Sequence, residues 1–266
     1  MRRIHLLALV FSFLVPSCVA PKAWVMGRYG EWEIDGDFAA VDTSGTATTD
    51  VRTSTQDLGL TEKDESFSGR VDVKWAGGRV TASNLDASYA GSGMVTTDIT
   101  LDGTTISNGT PVDSMMDFDI LSGTVTWDVI PGQTVDVALG VGGGIMDIFA
   151  QFDDMGGNVI STDEEAPFIM PAAHISADVG PILVSLLGSY IDTDWLSLDD
   201  EDVNATIFDI DLNASYKVIG SGDRLRGFVT LGYREVSVDA EYEDGTSSVA
   251  TEFDLSGVYF GVTLTL

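Results

Sequence analysis

The last eleven residues, SGVYFGVTLTL, put Val258, Phe260, Val262, Leu264 and Leu266 on one face of an extended strand and Tyr259, Gly261, Thr263 and Thr265 on the other. Chain ends left in water usually fray and tolerate polar residues, so an apolar face that reaches the final residue asks for apolar surroundings. The same period of two recurs upstream. FSGRVDVKW sets Phe67, Val71, Val73 and Trp75 against Ser68, Arg70, Asp72 and Lys74; IFDIDLNASYK sets Phe208, Ile210, Leu212 and Tyr216 against Asp209, Asp211, Asn213 and Lys217; FIMPAAHISADV sets Ile169, Ile175 and Val179 against Met170, His174 and Asp178. One face of each run is dry and the other carries charge, which a sheet covered on both sides could not bury unpaired.

No apolar segment approaches the roughly 20 residues of a spanning helix, so only strands could cross a membrane. The front of the chain, MRRIHLLALVFSFLVPSC, has two arginines, a short apolar run and then small residues. It reads as an export signal over 1–20, leaving a single β-domain over 21–266. Two ways of processing it stay open. One is an ordinary signal peptide; the other is cleavage before Cys18, because Val15-Pro16-Ser17-Cys18 resembles a bacterial lipobox whose cysteine is acylated. With one cysteine in the chain there is no internal disulfide.

The connections fall into two kinds. Gly-rich reversals at 76–79, 130–133, 179–181 and 219–223 are tight; between them lie longer polar stretches near 43–65, 91–112, 153–165, 193–203 and 241–250. Short turns at one rim and long loops at the other predict a closed antiparallel up-and-down transmembrane β-barrel of about ten strands, with eight or twelve as alternatives. The expected strands are 27–42, 66–76, 79–90, 113–128, 134–150, 166–179, 182–193, 204–217, 225–240 and 250–266, the last closing beside the first so that no backbone group is left unpaired in lipid. The glycines of GVGGG (140–144) fall inside a strand, where they permit a bend or close interior packing.

The terminal YFGVTLTL, with Gly261, Leu264 and Leu266 behind aromatic residues, resembles the assembly signal of Gram-negative outer-membrane barrels, although its last residue is Leu where that family usually has Phe. The resemblance implies a small outer-membrane β-barrel, outer-membrane lipid and lipopolysaccharide around it, and the barrel assembly machinery as a partner.

In such a barrel Trp75, Trp127, Tyr190, Tyr216 and Tyr233 are expected in aromatic girdles at the lipid headgroups. The lumen should hold an ion-pair network of Arg70, Asp72, Lys74, Asp86, His174, Asp178, Asp209, Asp211, Lys217, Arg226 and Arg234. Glu31, Glu33, Asp35 and Asp37 join it if the first strand spans, pairing with Arg70 and Lys74 across the neighbouring strand. Paired charges in so narrow a barrel fill the interior rather than line a wide pore.

No residues suggest a catalytic centre. His5 leaves with the leader, which makes His174 the one histidine of the mature chain, and it falls near a short turn. No cluster has zinc spacing, no cofactor motif is present, and thirteen Lys and Arg against forty-two Asp and Glu exclude nucleic acid. The acidic excess is expected on the exterior loops, where Ca²⁺ could bridge carboxylates to lipopolysaccharide phosphates. The sequence therefore predicts a non-enzymatic barrel with a structural or surface-interaction role. A narrow cation or small-solute channel is the second reading and an outer-membrane enzyme the third.

Overall fold

The computed structural model describes residues 21–42, 52–61, 63–101, 104–132, 134–192, 203–220, 225–243 and 247–266. The leader with Cys18 and most of the 193–203 loop lie outside them. In chain order the strands are β1 (Lys22–Asp42), the two-residue β2 (Thr53–Ser54), β3 (Asp64–Trp75), β4 (Gly78–Met94), the small hairpin β5 (Ile99–Leu101) and β6 (Thr104–Ile106), β7 (Pro111–Ile130), β8 (Val135–Asp153), β9 (Val159–Val179), β10 (Ile182–Asp192), β11 (Val203–Ile219), β12 (Arg226–Glu243) and β13 (Ser247–Thr265). The ten long strands each pair antiparallel with the next, and β13 returns to β1 in register from Trp24↔Thr265 to Asp42↔Ser247. The Leu266 N–H donates to the Ala23 carbonyl at 2.8 Å, so pairing extends to the last residue and the wall has no free edge at this seam.

The tight reversals lie at one end of the barrel, called here the lower end. Gly77 and Gly180 take positive φ (92° and 67°) in two of them, a conformation glycine adopts without steric cost. At the upper end the strands run further than the sequence suggests. β8 continues to Asp153 and β9 begins at Val159, while β12 continues to Glu243 and β13 begins at Ser247. The stretches read as loops at 153–165 and 241–250 are therefore mostly strand. Where β3 stops short, residues 53–60 fill the wall: β2 pairs with β1 at Asp37 and Phe38, and the Met94 N–H donates to Asp57 O at 2.7 Å. Gly59 makes that fit possible, because a Cβ there would sit 2.4 Å from the Ser92 carbonyl oxygen.

Side chains alternate inward and outward along every strand, but the polarity of the two faces exchanges midway. On β7, Leu121, Val125 and Trp127 face out while Thr124 and Thr126 are buried inside; above them Ile120, Phe118 and Met116 are buried inside and Asp119, Asp117 and Asp113 face out. On β13, Val258, Phe260, Val262 and Leu264 face out below, whereas Leu255 and Phe253 fill the interior above and Asp254 and Glu252 face out. β1 repeats this, with Val25 and Tyr29 outward below, Trp32 and Ile34 buried above, and Glu31, Glu33 and Asp35 outward. The lower half is thus a barrel with an oily outside and a polar inside. The upper half has a water-soluble exterior around a hydrophobic core.

This exchange corrects three expectations. Glu31, Glu33, Asp35 and Asp37 are not in the lumen, since they share β1 with the buried Trp32 and Ile34 on the opposite face. Lys63 reaches Glu31 and Glu33 from outside, at 2.6 and 2.5 Å. Asp86 likewise faces out, between the buried Leu85 and Ala87. And the acidic excess is not confined to loops: Asp86, Asp119, Asp147 and Glu165 stand in register across β4, β7, β8 and β9 on the outer wall.

Candidate functional site: the barrel interior

The lower interior is built on charge. Asp211, from β11, accepts from Arg28 Nη1 at 2.8 Å, Arg70 Nη1 at 3.1 Å and the Tyr259 hydroxyl at 2.5 Å. Arg70 also makes a two-pronged contact with Asp72 at 2.9 and 3.1 Å, and Thr81 donates to the same carboxylate. Beside it Arg234 clasps Asp209 through two N–H groups at 3.0 and 2.8 Å. The Arg28 guanidinium lies 5.0 Å from the Tyr259 ring centre, and a Cβ at Gly232 would meet the Tyr259 ring at 2.2 Å, so glycine is what lets that ring lie against the wall. Three arginines and three aspartates balance in this cluster, and each forked Arg–carboxylate pair adds geometric specificity. Charges this buried hold only when fully paired.

Of the expected lumen residues, Arg70, Asp72, Asp209, Asp211 and Arg234 meet in this cluster. Lys74 sits lower and pairs with Asp136 at 2.7 Å rather than with β1. His174 accepts at Nε2 from Arg79 at 2.8 Å, with Ser185 Oγ 2.9 Å from the same nitrogen. Asp178, Lys217 and Arg226 line the lower mouth together with Lys22. Arg28, Arg79, Asp136 and Tyr259 were missed. Arg79 falls where the sequence shows a turn, Asp136 lies just inside the expected strand 134–150, and Arg28 lies at the very start of the first expected strand; its parity with Trp24 and Met26 was the available signal.

Directly above the charged cluster the interior is apolar and filled. Trp32, Leu85, Phe118, Val236, Phe253 and Leu255 pack there, nearly all inaccessible to water, and Leu58, Leu60, Ile99 and Ile106 extend this core upward. Phe118 and Phe253 meet in a tilted contact with ring centres 4.8 Å apart. Room for Trp32 comes from Gly30 and Gly257, where a Cβ would meet its ring. Above the membrane-facing band, burial raises the Tyr89 hydroxyl well beyond the ordinary tyrosine value, with Asp64 and Glu33 adding to it.

The aromatic residues divide by height on the outside. Trp75 and Trp127 flank Gly78 in register near the lower turns, and Tyr216 lies opposite Ile182 at the same end. Tyr233 sits where the outer wall turns acidic, its hydroxyl donating to Glu235 at 2.8 Å. Tyr190 lies toward the top of β10. Leu264 and Leu266 face outward, while Gly261 points inward, where a Cβ would sit 2.7 Å from the Gly27 carbonyl oxygen. At the upper rim, Asp154 already accepts from the Gly156 and Asn158 backbone N–H groups and the Asn158 amide, an arrangement that draws its carboxyl below the usual range, the Asn158 backbone bond first. Among the described residues no group of three or more candidate ligands is placed to hold a metal ion.

No protein family matches the chain, and neither does any curated protein. Among solved structures the chain is similar to a FadL homologue of Pseudomonas aeruginosa (9% identity, 92% of this chain and 90% of that one, TM-score 0.35). It is also similar to Ail, the attachment invasion locus protein of Yersinia pestis, in complex with the heparin analogue sucrose octasulfate (8%, 91% and 99%, 0.31), and to the outer membrane protein AlkL in DMPC bilayers (12%, 95% and 95%, 0.33). Ten antiparallel strands closed into a ring, with an apolar outer band over a charged interior and tight turns at one rim, have the architecture of an outer-membrane-type β-barrel.

Proposed function

We propose that this barrel is a closed, non-enzymatic outer-membrane protein that holds a rigid acidic head above the lipid for contact with the cell's surroundings. The observation that carries this reading is the exchange of polarity midway up the wall. A porin keeps water along its whole axis, whereas here an apolar core led by Trp32, Leu85 and Leu255 lies across the path above the ionic cluster. The acidic outer wall then serves solubility and electrostatic contact outside the membrane. The Ser185–His174 pair does not argue for hydrolysis. Arg79, a permanent donor, holds the imidazole nitrogen that would have to take the serine proton, and among the described residues no carboxylate is hydrogen-bonded to the other ring nitrogen, Nδ1.

Single-channel recording in planar bilayers tests the reading. The protein should show no steady current, and Arg70→Ala should stay silent too, because the apolar core still seals the axis. Ohmic steps from the unaltered protein would overturn the proposal in favour of a channel.

A further inference from the structure

Below the ionic cluster the lumen is not filled. A cavity of about 320 Å³ opens toward the short turns and is lined by Trp24, Met26, Arg70, Arg79, Lys74 and Asp136 among others. Its upper end is closed by Arg70 and its partners, so among the described residues it is a pocket open toward the lower side.

Arg79 differs from the other interior arginines. Arg28, Arg70 and Arg234 each touch a carboxylate at 2.8 to 3.1 Å. The nearest carboxylate oxygens to Arg79 are those of Asp72 at 4.0 Å and Asp136 at 3.9 Å, and its close partners are neutral: His174 at 2.8 Å and Ser176 at 3.4 Å. Trp24 holds the guanidinium by a cation–π contact, the Arg79 carbon 5.5 Å from the ring centre. This fixes a planar fork of donors at the wall of the cavity, the geometry that recognises carboxylate or phosphate. The lining carries four cationic side chains, including Lys22, against three carboxylates, and hydroxyls and an amide from Ser176, Ser185, Ser215, Asn213 and Thr263. One bound anion would neutralise it.

We propose that this pocket binds a small hydroxylated organic anion from the periplasmic side, with Arg79 gripping its phosphate or carboxylate, Trp24 fixing the grip, and the hydroxyl-rich wall meeting the rest of the molecule. Its volume lies at the small end of known ligand sites. The apolar part of the lining comes from Trp24, Met26, Trp75, Ala76 and Leu183.

The test uses the whole protein in nanodiscs of neutral phosphatidylcholine, titrated calorimetrically with glycerol 3-phosphate and, as the uncharged control, glycerol. Saturable binding of the phosphate alone is expected. Arg79→Gln should weaken it at least about tenfold, the scale of a charge-assisted contact, and Asp136→Asn should tighten it severalfold by removing a competing carboxylate and freeing Lys74. Arg52→Gln, in the upper half, should change nothing. These opposite signs separate a binding role from a loss of folding, which heat-modifiability on gels checks for each variant. In nanodiscs containing phosphatidylglycerol, weakened binding of the free probe would assign the same phosphate site to a lipid headgroup. Absence of saturable binding by both the unaltered and Asp136→Asn proteins at millimolar probe, or equal affinity in Arg79→Gln, overturns the proposal.

Discussion

Leu121 and Asp119 are successive outward residues of one strand, yet the first belongs to a wall facing lipid and the second to a wall facing water. The halves they represent solve the same problem, filling a ring of ten strands, with opposite materials. Below, the inside is Arg28, Arg70, Asp72, Asp211 and Tyr259 in mutual hydrogen bonds; above, it is Trp32, Leu85, Phe118 and Leu255. The difference follows from the solvent outside. Where the exterior must be apolar, a polar interior satisfies the remaining alternation; where the exterior is water, the hydrophobic effect pulls the apolar set inward. What is constant is the wall, since backbone pairing runs unbroken through the exchange on β7, β8 and β13.

The two interiors should respond differently to truncation, and this is the largest effect expected. Asp211→Ala leaves Arg28 and Arg70 buried without their shared carboxylate and should cost about 3–5 kcal/mol. Phe118→Ala should cost a similar ~3–5 kcal/mol through a cavity. Only the first should be partly rescued by a second change, Arg28→Met, measured by urea unfolding in lipid vesicles; equal rescue of both would break the distinction.

On the outer wall the boundary can be placed to one pair of residues. Val258→Arg puts a cation into hydrocarbon and should cost up to about 2–4 kcal/mol, depending on depth. Ser256→Arg, the next outward position up and between Glu33 and Glu235 in register, should shift stability by under about 1 kcal/mol, as exposed ion pairs do. A large loss at Ser256 would move the membrane boundary upward.

A smaller effect comes from pH. Asp86 is held above the ordinary aspartate value of 3.8, first by burial and then by Asp119, Asp64 and Asp117. A carboxyl that binds its proton more tightly folded than unfolded favours the fold when protonated, so its contribution is complete below 3.8 and lost as pH rises through the folded value. Acidifying from neutral toward 3.8 should therefore stabilise the upper half, and Asp86→Asn should remove that part of the gain in urea midpoints. Smallest of all is Arg52→Ala. Its 3.2 Å pair with a largely exposed Glu252 should be worth no more than about 1 kcal/mol.

The strand plan, the tight turns and the closing strand were legible because period two and Gly-rich reversals are local signals. The exchange of faces was not read, although its trace is there. Alternation says that two faces differ; it does not say which one meets water. EWEID alternates as well as VDVKW does, so Glu31 and Glu33 seemed equivalent to Asp72 and Lys74 when they stand on the opposite side of the wall. The residues that mark the change are adjacent apolar pairs, Ile120-Leu121, Ile145-Met146 and Leu186-Leu187, where the apolar set crosses from one face to the other. The ionic cluster was half legible for a related reason. Asp211 and Arg70 lie mid-strand in clean alternations, but their partners Arg28 and Tyr259 come from β1 and β13, and only closure brings those two strands beside each other.

The carboxylate rows of the upper wall also bear on how the molecule reaches its place. Each acidic side chain forced through the hydrocarbon centre costs about 2.5–3.5 kcal/mol even by insertion scales, and Asp86, Asp119, Asp147 and Glu165 form one coherent row of them. Spontaneous partitioning from the periplasm would have to drag that row across the hydrocarbon. In the membrane the same row opposes any slide of the upper half into hydrocarbon, because each of its carboxylates would lose its water.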